Sequence, residues 1–330
     1  MAIVTFLVHP EHESAWELAQ TCDEWLIERG HRGRLIRFAG HNCVDEAGVR
    51  INIRDLDVGG SIVAVSLGGD GTFLRLVPAA WNASVPILGV NFGRLGYLPE
   101  LRPDELLFAL ESVLGGAMRC EKRYIIEVEI DIPSLVDGGD DGSCDAVDEL
   151  ALEGSNASGS SGSAVRSGLA NGTASQVVPN IRCLALNEMV VERTVFGHTI
   201  RLATTIDGEE FLSYSADALL VSTPTGSTAY NLSAGGPVVS PSMQAMILTP
   251  VAPHFSLDRS LVLHGDQVVR VQVEQDRSAA LVVDGQEVTR LHPGSNVTCR
   301  VLKRPLMLVT FEDRGPASLF RSALATTQVR

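Results

Sequence analysis

The chain has 330 residues, 45% of them hydrophobic, with 26 basic against 40 acidic side chains and a formal net charge of −14. The length suits about two domains of ~100–200 residues each, and the ordinary apolar fraction excludes wholesale disorder and collagen-like repetition. The acidic balance argues against nucleic acid or an anionic membrane as partner, and no apolar run approaches the ~20 residues that span a bilayer.

Ala2 to Val8 is a short apolar run closed by His9-Pro10. With no basic segment before it, it reads as a first strand, not a signal peptide, and a cytoplasmic location is expected. Trp16, Leu18, Ala19, Cys22, Trp25 and Leu26 follow at helical spacing, with Gly30 as the stop. Ser61–Leu67 and Pro86–Val90 are further strand candidates, each ending in a glycine turn. A helix beginning near Thr72 is expected to be kinked or short because of Pro78. Pro103 suits the first turn of another helix, carrying Leu106, Leu107, Leu110 and Val113. This alternation predicts βαβ units and an open parallel sheet.

After residue 120 the period changes to two. Ile125–Ile132, Thr199–Ile206, Val268–Val273, Ala279–Val283 and Leu306–Phe311 alternate polar with β-branched residues, which predicts antiparallel strands in a sandwich. Cys183–Arg193 reads as one more strand, interrupted by Asn187-Glu188. The expected organisation is an α/β domain over 1–120, a mostly antiparallel β-sandwich domain over 121–311, and a tail of about 312–330 returning to the first domain. Residues 137–176 contain 8 Gly, 8 Ser, 7 acidic residues and one arginine. That composition buries too little apolar surface to offset ordering, so a flexible insertion within a hairpin is expected.

Six cysteines (Cys22, Cys43, Cys120, Cys144, Cys183 and Cys299) form no C-x-x-C pair, and neither a zinc site nor a disulfide framework is expected. Three segments carry chemistry. Gly68-Gly69-Asp70-Gly71-Thr72 follows a strand directly. Its glycines let backbone N–H groups converge on a phosphate, and the next helix adds its N-terminal dipole. A carboxylate inside such a cradle repels the ligand, so Asp70 needs another purpose, such as taking a proton from an attacking hydroxyl or holding Mg²⁺. Ser222-Thr223-Pro224-Thr225-Gly226-Ser227-Thr228-Ala229-Tyr230-Asn231 offers six hydroxyls to a sugar or phosphate and one aromatic face to a base, or else caps a turn. Asn187 and Glu188 point to opposite faces of a strand, so one is directed inward and needs a partner, either a ligand or a structural hydrogen bond.

Together these segments resemble the NAD kinase family. The matching stretches are Gly68–Leu74, Gly89–Leu98, Leu186–Arg193, Asp217–Pro237, Leu248–Arg259 and Val283–Gln286, in family order along nearly the whole chain. The resemblance implies an α/β domain followed by a β-sandwich, and transfer of the γ-phosphoryl group of ATP, or of polyphosphate, to the 2′-hydroxyl of the adenosine ribose of NAD. It makes Asp70 the general base. It puts Gly71, Phe92, Asn187, Glu188, Asp217, Thr225, Thr228, Ala229, Tyr230 and His254 on the NAD side, with Tyr230 packing on the adenine. Gly68, Gly69, Gly71, Thr72, Arg75 and Arg94 fall on the phosphate side. It implies Mg²⁺ or another divalent cation arriving with ATP, no metal site held by the protein, and self-association as a homodimer or homotetramer.

Lys122 and Lys303 are the only lysines. Neither sits in a P-loop or in the strand of a protein kinase, so arginine, backbone amides and the cation must meet the phosphoryl charge. Phe92 and Arg94 depart from the small polar residue and histidine common in the family. Ala216 and Ala218 replace frequent glycines, and Ser260 stands where proline often follows the arginine.

Overall fold

The first strand, β1 (Ile3–Val8), is buried along nearly its whole length, as a central strand of a parallel sheet must be. The computed structural model describes residues 1–39, 42–45, 50–93, 98, 101–133, 181–254, 257–274 and 277–311. The helix α1 (Glu13–Glu28) carries the chain across to β2 (Arg32–Ala39), parallel to β1. Between them Gly30 takes a left-handed φ of 75°, a conformation open to glycine without strain. Two short antiparallel strands, β3 (Asn42–Asp45) and β4 (Arg50–Asn52), extend that edge.

β5 (Ser61–Gly68) returns to the other side of β1, and α2 (Asp70–Ala83) leads to β6 (Ile87–Asn91), parallel to β5. The helix begins at Asp70, two residues before the expected start, and Pro78 does not end it. The missing proline N–H leaves the Leu74 carbonyl without its helical partner, but burial of Phe73, Leu76, Val77, Ala79 and Ala80 along one side keeps all 14 residues helical. A helical turn at Pro103 opens α3 (Leu106–Leu114), and β7 (Arg119–Arg123) follows.

Alternate residues of β1 face opposite sides. Val4, Phe6 and Val8 pack with α1 and α3 in one cluster, while Leu7 packs with α2 in another. That is the helices-on-both-faces arrangement that the strand–helix alternation predicts.

The antiparallel part begins with β8 (Ile126–Asp131) and β9 (Ile181–Ala185), which pair with each other. The strands flanking the insertion therefore form a hairpin, while residues 137–176 themselves lie outside the described residues. β10 (Glu188–Arg193), β11 (Ile200–Ile206), β12 (Glu209–Ala216) and β13 (Ala218–Ser222) follow. After them come the one-turn helix α4 (Tyr230–Ser233), β14 (Ala245–Val251), β15 (Leu261–His264), β16 (Val268–Val273), β17 (Ala279–Val283), β18 (Gln286–Leu291) and β19 (Asn296–Val301).

These strands form two six-stranded sheets, ordered β15-β14-β13-β10-β17-β18 and β12-β11-β16-β19-β8-β9. One buried cluster joins their inner faces, from Ile126, Val128 and Ile130 on one sheet to Met189, Val191, Leu219 and Val221 on the other. The sandwich expected from the period-two segments is thus present.

Two local expectations are corrected. Cys183–Arg193 is not one strand. The chain leaves the second antiparallel sheet at Ala185 and enters the first at Glu188, so Leu186-Asn187 is a corner between sheets. The last strand, β20 (Leu306–Thr310), does not belong to the sandwich. It lies parallel to β6 and antiparallel to β7, completing an eight-stranded first sheet ordered β4-β3-β2-β1-β5-β6-β20-β7. Period-two alternation reports one wet face and does not say which sheet a strand joins. Residues 312–330 lie outside the described residues.

Candidate active site

The first group of candidate residues gathers at the carboxyl end of the parallel strands, where open α/β sheets carry their ligands. Gly68 closes β5, Gly69 is the N-cap of α2, and Asp70, Gly71 and Thr72 make its first turn. The glycines are there for different reasons. A Cβ on Gly68 would run into the Thr72 side chain, so the fold itself requires that glycine. A Cβ on Gly69 or Gly71 would meet no protein atom within 4 Å. Gly69, at φ −109° and ψ −166°, is in a region open to any residue. Neither packing nor backbone conformation asks for glycine at these two positions, and both lie at a helix N-terminus with no side chain of their own to cover it.

Asp70 is half-buried between them, and its Oδ1 accepts the Leu98 N–H at 3.2 Å. Phe92 joins the group because its N–H donates to the Gly68 carbonyl at 3.0 Å. Arg75 lies one turn along α2, its guanidinium 4.7 Å from the centre of the Phe38 ring. Arg94 lies outside the described residues. Two histidines that sequence reasoning missed share this edge. His9 follows β1 and sets its ring edge-on to Phe38 at 5.3 Å; His12 stacks on Phe92 at 6.3 Å. Burial lowers the His9 pKa, helped by His12 and Arg75 and opposed by Glu11. The visible signal was their position just past a buried strand.

The second group sits on the outer face of the sheet containing β13 and β10. Leu186 is fully buried in the same cluster as Phe73, Leu76 and Val77 of α2, so the corner at 186–188 is set down against the first domain. Three successive N–H groups at that corner, of Leu186, Asn187 and Glu188, donate to the carboxylate of Asp284 at 2.8, 2.8 and 3.1 Å. Asp284 and Gly285 form the two-residue turn between β17 and β18, with φ of 47° and 75°. Asp-Gly is the usual pair for such a hairpin. Sequence reasoning gave Asp284 no role, although the Asp-Gly turn between two strands was readable.

Glu188 is 7% exposed. Burial, then the Asp284 charge, pushes its pKa up to about 8, against the opposing effect of the nearby Tyr230 backbone N–H. Its Oε2 is buried with no hydrogen-bond partner in the protein. The backbone of Asn187 is gripped from the other side. Its carbonyl accepts the Thr223 N–H at 2.8 Å and the Ser222 hydroxyl at 3.2 Å. Gly226 lies so close to the Asn187 backbone that any Cβ there would collide with it.

The hydroxyl-rich turn divides between the two roles that its composition left open. Most of its hydroxyls hold the turn itself. Ser222 and Thr223 bond to backbone carbonyls, and Ser227 donates to Pro224 O at 2.7 Å and accepts Val239 N–H at 3.0 Å. Asn231 is fully buried, bonded to Ser227 O, Pro237 O and the Thr249 hydroxyl. Thr228 reaches only Thr225 O, at 3.4 Å. The Thr225 hydroxyl, in contrast, is buried with no partner. Ala229 is half-buried, and Tyr230, 38% exposed, opens α4 at the rim. Burial raises the Tyr230 pKa, together with Glu192, Asp217 and Glu188. Asp217 pairs with Arg193 at 3.3 Å. His254 is exposed, its N–H donating to Ser215 O at 2.7 Å.

Among the described residues no three His, Cys, Asp or Glu side chains gather as a metal cage, and no helix is long and apolar enough to cross a membrane. A concavity of about 510 Å³ opens on the outer face of β11, β12 and β16, but shares no residue with either group.

Family models for the ATP-NAD kinase N-terminal and C-terminal domains match residues 53–118 and 186–311. The chain is 37% identical to an NAD kinase of Moorella thermoacetica over 261 residues, 79% of this chain and 70% of that one. It is 33% identical to one of Heliobacterium modesticaldum over 319 residues, 95% of both. Its fold is similar to that of yeast NADH kinase complexed with NADH (TM-score 0.70, 20% identity, 99% of this chain and 88% of that one). It is also similar to an Archaeoglobus fulgidus NAD kinase in complex with ATP (TM-score 0.63, 22% identity, 99% of both). With both family models matched in order and relatives above 30% identity over most of its length, the chain belongs to the NAD kinase family.

Proposed function

We propose that the protein phosphorylates the 2′-hydroxyl of the adenosine ribose of NAD with ATP, giving NADP, and that Asp70 is the general base. The observation that carries this reading is the pair of glycines around Asp70 whose Cβ positions are open. Bare amides there suit phosphate oxygens, and a carboxylate among them suits a hydroxyl losing its proton. In the reaction Asp70 accepts the 2′-hydroxyl proton as that oxygen bonds to the γ-phosphorus. The bond between the γ-phosphorus and the bridging oxygen breaks, and ADP leaves. The amides of the α2 N-terminus and Arg75 balance charge on the phosphoryl oxygens.

On the other side, Asn187 and Glu188 hold the adenosine, with Thr225, Thr228 and Ala229 lining the base and Tyr230 packing on it. Gly71 and Phe92 close the gap to the ribose, and Asp217 and His254 sit at the nicotinamide end. A divalent cation fits as one carried in on the phosphates. Mg²⁺ suits this, because it would keep waters and substrate oxygens as its ligands and leave the Asp70 carboxylate to act as the base. When bound, the cation neutralises charge on the donor phosphates. Self-association, with Asp217 completing a neighbour's nicotinamide pocket, belongs to the same proposal.

The test is a coupled assay of purified protein with NAD, Mg²⁺ and either ATP or polyphosphate, with NADP read out enzymatically. NADP formed with ATP is the expected result. Tight NAD binding with no NADP from either donor would replace the kinase by a nucleotide-binding sensor.

A further inference from the structure

Two carboxylates lie close together at the 186–188 corner and are treated oppositely by their surroundings. Asp284 is a partly exposed residue whose carboxylate is nonetheless enclosed by protein, and it collects three N–H donors. Glu188 is deeply buried, with the Tyr230 backbone N–H near its carboxyl, and keeps one oxygen without a partner. Two adjacent buried carboxyls do not both ionise readily. The one saturated with donors keeps the charge, and the other keeps the proton. A protonated carboxyl also resolves the unpaired oxygen, because an O–H needs an acceptor, and the adenosine side of the dinucleotide is rich in acceptors.

We infer that Asp284 is a positioning residue for dinucleotide binding: it fixes the corner that presents Asn187 and Glu188, and keeps Glu188 a hydrogen-bond donor toward NAD instead of a second anion. This rests on the proposed NAD site. Asp284 acts through its neighbours and need not touch the ligand. Its carboxylate ties the β17–β18 turn to the corner through all three of those N–H groups. The charged and titratable groups facing Glu188 are Asp284 from that turn and Tyr230 from α4, which itself faces Glu192 and Asp217. None of these is a cation that would favour ionised Glu188. Consistent with the geometry, burial and Asp284 push the Glu188 pKa up to about 8, while burial, opposed by the three N–H bonds, brings Asp284 only to about 6.

The experiment measures the Kd for NAD directly, with no phosphoryl donor present, between about pH 6.5 and 9.5, a window chosen to bracket a one-proton break, in the full-length protein and in Glu188→Gln and Asp284→Asn. The sign is fixed: Glu188 holds its proton below about 8 and loses it above. The wild-type Kd should therefore be flat at low pH and then rise by up to ~10-fold per pH unit. Glu188→Gln, a donor at every pH, should give a Kd that no longer depends on pH in this range. Asp284→Asn should bind more weakly at low pH and show its break at lower pH, because the charge that helps to hold the Glu188 proton is gone. If Asp284→Asn does not fold, Asp284→Glu replaces it: it keeps the charge but displaces the corner, so it should bind NAD more weakly at low pH, and a Kd equal to wild type there overturns the positioning role. A wild-type Kd that is flat or falls with rising pH, or a Glu188→Gln profile parallel to wild type, overturns the inference while leaving NAD as the ligand. Absence of NAD binding at every pH overturns the NAD reading itself.

Discussion

Gly71 and Gly226 look alike in the sequence, each in a short glycine motif, yet different constraints make them glycine. A Cβ at Gly71 would enter open space, and a Cβ at Gly226 would enter the backbone of Asn187. Gly71→Ala is therefore expected to keep or slightly raise Tm, since alanine is the better helix former by ~1 kcal/mol. Its cost falls on ligand binding, with the KM for ATP or NAD rising about tenfold, as for one lost hydrogen bond to a charged group. Gly226→Ala is expected to lose ~1–3 kcal/mol of stability by overpacking. Thermal melts and steady-state kinetics on the pair check both; a destabilised Gly71→Ala with normal KM would reverse the assignment. Tyr230 stands at the rim, 38% exposed, as a stacking face should. Tyr230→Ala is expected to raise the KM for NAD by the ~1–3 kcal/mol of a lost base stack, with little change in kcat. A defect in kcat alone would contradict adenine packing. At this scale the sequence showed the motifs but not which hydroxyls were already spent. Ser222, Thr223 and Ser227 close the turn on itself, a fact that depends on where the Asn187 corner arrives from a distant part of the chain.

Among the elements, periodicity was enough to read strands and helices and too local to read partners. Val4, Phe6 and Val8 against Leu7 declare a strand covered on both faces, and β8 declares one wet face. Nothing in Leu306–Thr310 says that it will slot between β6 and β7, both far away in sequence, because pairing is set by the whole sheet. Likewise Cys183–Arg193 reads as one strand interrupted by Asn187-Glu188, and only the Asp284 carboxylate, gathering three N–H groups, shows why the chain turns there. The β8–β9 pairing brackets the Gly/Ser/acidic stretch, so shortening residues 137–176 to a brief Gly-Ser linker asks nothing of the ladder. Loop-closure entropy changes by only ~0.6 kcal/mol per doubling of length. The shortened protein is expected to melt within ~3 °C of the full chain, the shift that roughly 1 kcal/mol gives in a protein of this size. Loss of soluble protein would show that the stretch takes part in packing.

For the molecule as a whole, the arrangement that matters is the setting of a β-sandwich corner against the helix that carries the glycine-aspartate motif. Leu186 is buried in the cluster that holds Phe73, so the corner carrying Asn187 and Glu188 packs against the helix that begins at Asp70. In the proposed reaction one part supplies amides and a base for a phosphate, the other a slot for a nucleoside. The most direct measurement is kcat for NADP formation by Asp70→Asn at saturating NAD and ATP, alongside its Kd for NAD. The account predicts a fall of at least ~10²-fold in kcat, the usual worth of a general base, with NAD affinity and Tm close to wild type. Turnover near the wild-type rate would contradict it.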